Sequence, residues 1–398
     1  MRRWPGSLPR SAISIFEAPH VHYKNIYFFI GTTAELIKMM PVMQVCWRRG
    51  IPFQLVASGQ NDIRHSELLA LVGKQAPDLV LFEGEIRKSA VSLLMWFFRT
   101  LLRSVGRLRR HMRQLPGANV VVVHGDTVST VMGALLAKVL RTDVAHVEAG
   151  LRSFNYLHPF PEEIDRVITS RLADIHFCPN EWSLRNLGRL GGEKIDTGDN
   201  TLRDALAIAQ SSGGGSQDNP VQGLEGPYFV FVLHRQENLF NERLVRSLVE
   251  KAIRQSQKTP CVFILHHLTE VALVRLGLLD RLKAQPRIRL AKRMPYMDFM
   301  KVLGGAEYVV TDGGSNQEEC YYLGKPCLIL RNVTERTEGL GENAVLSKLD
   351  ESTIDRFLEN PATHKRVPTP VLVSASEVIV NRLSFQGAGA GAGFGKTN

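Results

Sequence analysis

An α/β fold of two similar, doubly wound domains facing a central cleft is what this sequence predicts, on three observations. Short continuous apolar runs alternate with helical patterns along most of the 398 residues. A polar, glycine-rich stretch interrupts the alternation once, past the middle. The runs repeatedly end in small or ionisable residues. Strands that are apolar throughout are buried on both faces, and strands separated by helices pair in parallel beneath two helical layers. A chain of this length exceeds one ordinary core, so two domains are the default.

The elements follow in order. Residues 1–24 form a basic extension broken by Pro5, Pro9 and Glu17, without a signal-peptide core. In the amino-terminal domain, 25–210, NIYFFI, FQLVAS, NVVVVHGD, DVAHVEAG and IHFCPN read as strands. Between them, AELIKMMPVMQVCWRRG, STVMGALLAKVL, EEIDRVITSRLA and EWSLRNLGRL carry helical patterns. Residues 93–113 place Arg99, Arg103 and Arg107 on one helical face beside an apolar one. They read as an ordinary packed helix with a solvated basic edge, the other reading being a weak contact with a membrane surface. The stretch 211–226, SSGGGSQDNPVQGLEG, is a flexible connection. In the carboxyl-terminal domain, 227–373, the strands are YFVFVLH, CVFILHH, IRLAK, EYVVTDGG and PCLILRN. Helices start at about Glu242, near Glu270 and at about Tyr296, and another covers NQEECYYLG. A last helix lies at about 374–385, and 386–398 is a disordered tail. Its AGAGFGKT fits a loose phosphate-loop pattern but lacks the flanking strand and helix that make such a loop work.

A net charge of +10 favours anionic partners: nucleic acid, anionic lipid or a phosphorylated substrate. The five cysteines are scattered without a C-x-x-C pair, which reads as reduced, buried thiols in a cytoplasmic protein. No apolar run reaches the length of about 18 that a membrane span needs.

In open parallel sheets, ligands bind outside the carboxyl ends of the strands. Here FFI runs into Gly31, Thr32 and Thr33, VVVVHGDT delivers Asp126, and AHVEAG delivers Glu148. FVLHRQEN delivers His234 and Arg235, and YVVTDGGS ends in Asp312, Gly313, Gly314 and Ser315. That last bare turn opens a helix whose free amides and dipole attract an anion. Glu318 and Glu319, one turn in, point back toward the loop and suit paired sugar hydroxyls. A nucleoside diphosphate fits better than nucleic acid. The opposite rim is acidic, with Asp126, Glu148, Glu162 and Glu163. Crowded carboxylates cannot all ionise cheaply, so one becomes an acid while another stays a base, which suits proton transfer at carbon. No D-x-D or His-plus-acid spacing points to a metal.

At these residues the chain resembles the UDP-N-acetylglucosamine 2-epimerase family, which has the two-domain GT-B architecture. The matching stretches are HGDT, HVEAGLRS, PEEIDR, TGDNTLRDAL, LHRQEN, QEE with LGKPCLILR, and TERTE, over about residues 26–350. The resemblance implies that UDP leaves sugar carbon 1 as a base takes the carbon-2 proton, giving a 2-acetamidoglucal. That intermediate is then reprotonated on the other face and rejoined to UDP, or released after water adds. It implies Asp126, Glu148 and Glu162 as acid and base groups and His234 as an aid to the diphosphate, with Arg235 in the same segment. Arg166 would support the acidic loop, Lys38 would lie near the cleft, and Glu319 would hold the ribose. No redox cofactor or metal is required. A homodimer and a final helix that crosses back to the first domain are also implied.

The departures matter as much. The family's G-T-R-P-E turn is GTTAE, so Thr33 stands where an arginine is expected. Its D-S-G-G loop is Asp312-Gly313-Gly314-Ser315. The effector-associated G-Q-H-R segment reads Gly59-Gln60-Asn61-Asp62, and P-x-H-x-N-P reads Leu265-His266-His267-Leu268-Thr269-Glu270. The acids are kept while effector and phosphate contacts change. An arginine lost beside a diphosphate removes a charge-assisted contact of about 1.5–3 kcal/mol. Three functions fit: a sugar-nucleotide 2-epimerase, whether or not it hydrolyses its product; a GT-B glycosyltransferase with a UDP-sugar donor; and a binding protein that has lost turnover.

Overall fold

The structure is a computed structural model that describes residues 23–84, 90–156, 160–212, 220–224, 226–368, 370 and 373–384. Nearly all of the expected amino-terminal extension, the centre of the expected connection and the tail with its phosphate-loop-like pattern lie outside the described residues.

Two wholly parallel sheets carry the chain. The first holds β1 (Asn25–Ile30), β2 (Phe53–Ala57), β3 (Leu79–Val80), β4 (Asn119–His124), β5 (Asp143–Val147), β6 (Ile175–Cys178) and β7 (Glu193–Asp196), in the order 3-2-1-4-5-6-7. The second holds β8 (Phe229–Val232), β9 (Cys261–Leu265), β10 (Ile288–Lys292), β11 (Tyr308–Thr311), β12 (Cys327–Ile329) and β13 (Ala344–Leu346), in the order 10-9-8-11-12-13. Both orders reverse direction at a switch point, between β1 and β4 and between β8 and β11, where the strand ends splay and a crevice opens. The expected strands are all present. β3, β7 and β13 are additional: β3 spans two residues, β7 reads EKID and β13 spans three residues, so none is a long apolar run.

β1 shows why the runs are continuous. Ile26, Phe28 and Ile30 enter one helical layer while Tyr27 and Phe29 enter the other. Burying a side chain of this size stabilises by roughly 1.5–3 kcal/mol, so both faces of the strand must be apolar. The turn after β1 is fixed by a capping box: Thr32 caps the helix Thr33–Arg48, and Glu35 reaches back to the Thr32 amide at 2.9 Å.

The last helix, Ala375–Leu383, packs Ile379, Val380 and Leu383 into the core that holds β1. Arg382 holds Glu193 at 2.5 Å, so this helix is tied to the first sheet. The helix Ala90–Arg113 buries Trp96, Leu108 and Met112, as a packed helix should. Its basic edge is not simply solvated, because Arg107 donates to the carbonyls of Leu81 and Val80 at 3.0 and 2.8 Å. It also exposes a second apolar stripe, Val91, Leu94, Met95, Phe98 and Leu102. Among the described residues no helix is long and apolar enough to cross a membrane. All five cysteines are buried and none forms a disulfide.

Candidate active site

A cleft of about 880 Å³ separates the carboxyl ends of the two sheets. Lys38, Asp126, Glu148, Glu162, Arg166, His234, Arg235, Gly313, Gly314, Ser315 and Glu319 all line it, as do Thr32 and Thr33. Parallel pairing explains the convergence: every strand of a sheet points the same way, so residues distant in sequence meet at one rim.

Glu148 sits just beyond β5 with φ +63°, a left-handed backbone that costs a non-glycine residue of order 1–3 kcal/mol and marks a constrained site. Its carboxylate accepts from Lys38 Nζ at 2.5 Å and Asn200 Nδ2 at 2.6 Å, and Arg336 lies 3.3 Å away. Burial pushes this carboxyl up, but Lys38 and Arg336 outweigh burial and hold it well below the usual range. Glu148 is therefore a buried anion held between cations. His124, behind it, is depressed to about 3 by burial and is neutral.

Asp126 is more open and is paired with Arg166, whose own side chain is only 4% exposed. Glu162, at the start of the helix Glu162–Leu172, is pushed up by burial and by the neighbouring Asp126 charge. Two carboxyls in environments this different can divide the roles of base and acid. Asp165, one turn along, is pushed up to about 8 by burial and by the Asp126 and Glu162 charges. Glu163, expected at this rim, instead turns inward. It accepts from Arg152 Nε at 2.6 Å and from the amides of Ser153 and Phe154 at 2.9 and 3.2 Å, which fixes the loop after β5.

Across the cleft, Gly313 precedes the helix Gly314–Leu323, whose end has no side-chain cap, so its first amides are available to an anion. A Cβ at Gly313 would lie 2.7 Å from Asn316 Oδ1 and 3.2 Å from His234 Cε1. Asp312 is buried beneath this turn and accepts from the amides of His234 and Arg235 at 3.1 and 2.9 Å. Burial pushes Asp312 up, but His234 and these donors bring it below its ordinary value. His234 Nδ1 lies 3.0 Å from Asp312 Oδ1, and its ring stacks on His266 with centroids 4.8 Å apart. Glu319 accepts from Asn316 Nδ2 at 2.8 Å and is pushed up to about 7 by burial. Glu318, expected to face the loop as well, turns to the interface between sheets, where Arg336 holds it and Asn200 lies 3.4 Å away.

Arg336 and Asn200 are marked by no local sequence pattern. Both lie in recognised stretches, TERTE and TGDNTLRDAL, but nothing local signals that they bridge to Glu148 and Glu318. Asp165 was hidden in PEEIDR behind its more obvious acidic neighbours.

Two facing Rossmann-like domains, with an acid pair on one and a bare helix end on the other, define the GT-B class. The family model described as UDP-N-acetylglucosamine 2-epimerase matches residues 100–370. The UDP-N-acetylglucosamine 2-epimerase of Methanocaldococcus jannaschii is 31% identical over 344 residues, 83% of this chain and 90% of that protein. The UDP-2,3-diacetamido-2,3-dideoxy-D-glucuronate 2-epimerase of Pseudomonas aeruginosa is 35% identical over 229 residues, 55% of this chain and 60% of that protein. The crystal structure of UDP-GlcNAc 2-epimerase from Neisseria meningitidis bound to UDP-GlcNAc superposes with a TM-score of 0.75 at 25% identity, covering 90% of this chain and 99% of that one. The chain belongs to the UDP-N-acetylglucosamine 2-epimerase family and is an isomerase-type enzyme.

Proposed function

We propose that this protein interconverts UDP-N-acetylglucosamine, or a close relative, with its carbon-2 epimer by eliminating and re-adding UDP. The observation that carries the reading is the Asp126–Glu162 pair, one carboxyl ion-paired with Arg166 and the other pushed up by burial, facing a helix end with free amides across one cleft. One carboxylate takes the carbon-2 proton, the C–H electrons form the C1–C2 double bond, and UDP leaves carbon 1 with the glycosidic pair. The other carboxyl protonates carbon 2 on the opposite face as UDP returns to carbon 1. Each passage leaves the two carboxyls with their protonation states exchanged, and the reverse passage or proton exchange with solvent restores them.

The helix end at Gly314, with His234 beside it, receives the charge that develops on the leaving diphosphate, while Arg235 is tied to the Asp312 carbonyl and to Glu237. The His234 Nδ1 contact with Asp312 turns the other ring nitrogen to the substrate. Glu319 holds the ribose hydroxyls. Glu148, expected among the acid and base groups, is assigned to organisation: a carboxylate held well down by two cations is a poor base. Relatives that act on UDP-GlcNAc and on a diacetamido glucuronate support a UDP-activated 2-acetamido sugar as the substrate class.

The test is proton NMR of UDP-GlcNAc with the protein in deuterated water. Loss of the carbon-2 proton signal with growth of UDP-ManNAc is expected. Free ManNAc plus UDP would mark a hydrolysing enzyme, and sugar transfer to an acceptor without carbon-2 exchange would overturn the proposal.

A further inference from the structure

Thr33 leaves the turn after β1 without a cation, and the helix end there is already occupied. Glu35 accepts from the amides of Gly31 and Thr32 at 2.5 and 2.9 Å and from the Thr127 hydroxyl at 2.5 Å. Those amides are already satisfied by the Glu35 carboxyl and are not open to a second anion. The first sheet's remaining cleft cations are also engaged: Lys38 with Glu148 and Arg166 with Asp126. On the other side Arg336 is held by Glu148 and Glu318, and Arg235 by Glu237 at 3.2 Å. Arg293, just past β10, is the remaining arginine lining the cleft. Its side chain is exposed and meets no carboxylate among the described residues. It stands close enough to His266 for its charge to help depress that ring, and His266 stacks on His234.

We propose that Arg293 is a substrate-binding residue that supplies the nucleotide diphosphate with the cation the Thr33 turn lacks. The diphosphate is then held from the carboxyl-terminal domain by the Gly314 helix end, His234 and Arg293. Its capture requires no cation from the first domain. Arginine suits the task because its planar fork gives two parallel hydrogen bonds to phosphate oxygens. This inference rests on the nucleotide reading above.

Titration calorimetry of the full chain with UDP, and with uridine as the phosphate-free comparison, tests it. In Arg293→Ala, UDP binding is expected to weaken by roughly 10- to 100-fold, the range of a lost charge-assisted contact, while uridine binding stays within about twofold. Arg293→Lys, which keeps the charge but not the fork, is expected to fall between. Unchanged UDP affinity in Arg293→Ala, or equal losses for UDP and uridine, would overturn the assignment. A wild-type chain that binds neither would overturn the nucleotide reading and this inference with it.

Discussion

Asp126 and Glu162 differ in environment more than in chemistry: one is more open and ion-paired with Arg166, the other is pushed up by burial. Asp126→Asn and Glu162→Gln each remove one proton carrier, so kcat is expected to fall by about 100-fold or more, with carbon-2 exchange lost in parallel. Uridine affinity should not move, which separates catalysis from binding. Asp165 gives a prediction about stability. Its folded pKa, about 8, lies above its ordinary 3.8, so the folded state binds the extra proton. Its contribution is full below the ordinary value and is lost as pH rises through the window up to about 8. Asp165→Asn should remain folded and lose this slope, gaining on the order of 1–3 kcal/mol relative to wild type at pH 8 but not at pH 4. Urea denaturation at the two pH values measures it.

At the scale of elements, the strand-end turns carry the site, and close packing leaves them little room. Gly150 ends the turn that aims Glu148, with φ +80°, and a Cβ there would lie 2.0 Å from the carbonyl oxygen of Ser183. Backbone cannot yield as a flexible side chain can. Gly150→Ala should therefore cost at least about 2–3 kcal/mol, read as a lower urea midpoint, and lower kcat through displacement of Glu148. The helix that follows Asp126 is fixed differently: Thr127 caps it, and its hydroxyl also donates to Glu35 beside β1. One buried carboxylate thus ties two strand-end turns across the switch point.

For the whole molecule, the decisive contact is the cluster that joins the sheets. Arg336 reaches Glu148 of the first domain and Glu318 of the second, and Asn200 donates to both carboxylates. Burial pushes Glu318 up to about 8 even with Arg336 beside it, while Glu148 is held down by its two cations. Removing one partner from such a cluster leaves buried charge unpaired. Arg336→Ala should cost about 3–5 kcal/mol at pH 8. The loss should shrink toward pH 5, because without the arginine both carboxyls are more readily neutralised as protons become available. Thermal denaturation across that range, with small-angle scattering to follow domain separation, checks the expectation.

The two parallel sheets and the rim where chemistry gathers are legible in the local apolar pattern. Runs such as NIYFFI and NVVVVH are apolar at every position because both faces are covered, and parallel strands deliver their ends to one side. Edge strands such as β7 were not legible, since EKID has no continuous apolar signal. Tertiary structure alone decided which carboxyls face the cleft. Glu162 and Glu163 are adjacent, yet successive residues of a helix point about 100° apart, so one lines the cleft and the other anchors a loop. It also decided that Glu148 is held as a buried anion, because its cations, Lys38 and Arg336, lie 110 and 188 residues away in the chain. Local patterns record which face of a strand or helix is buried; the charge a buried carboxyl carries depends on partners that only folding brings together.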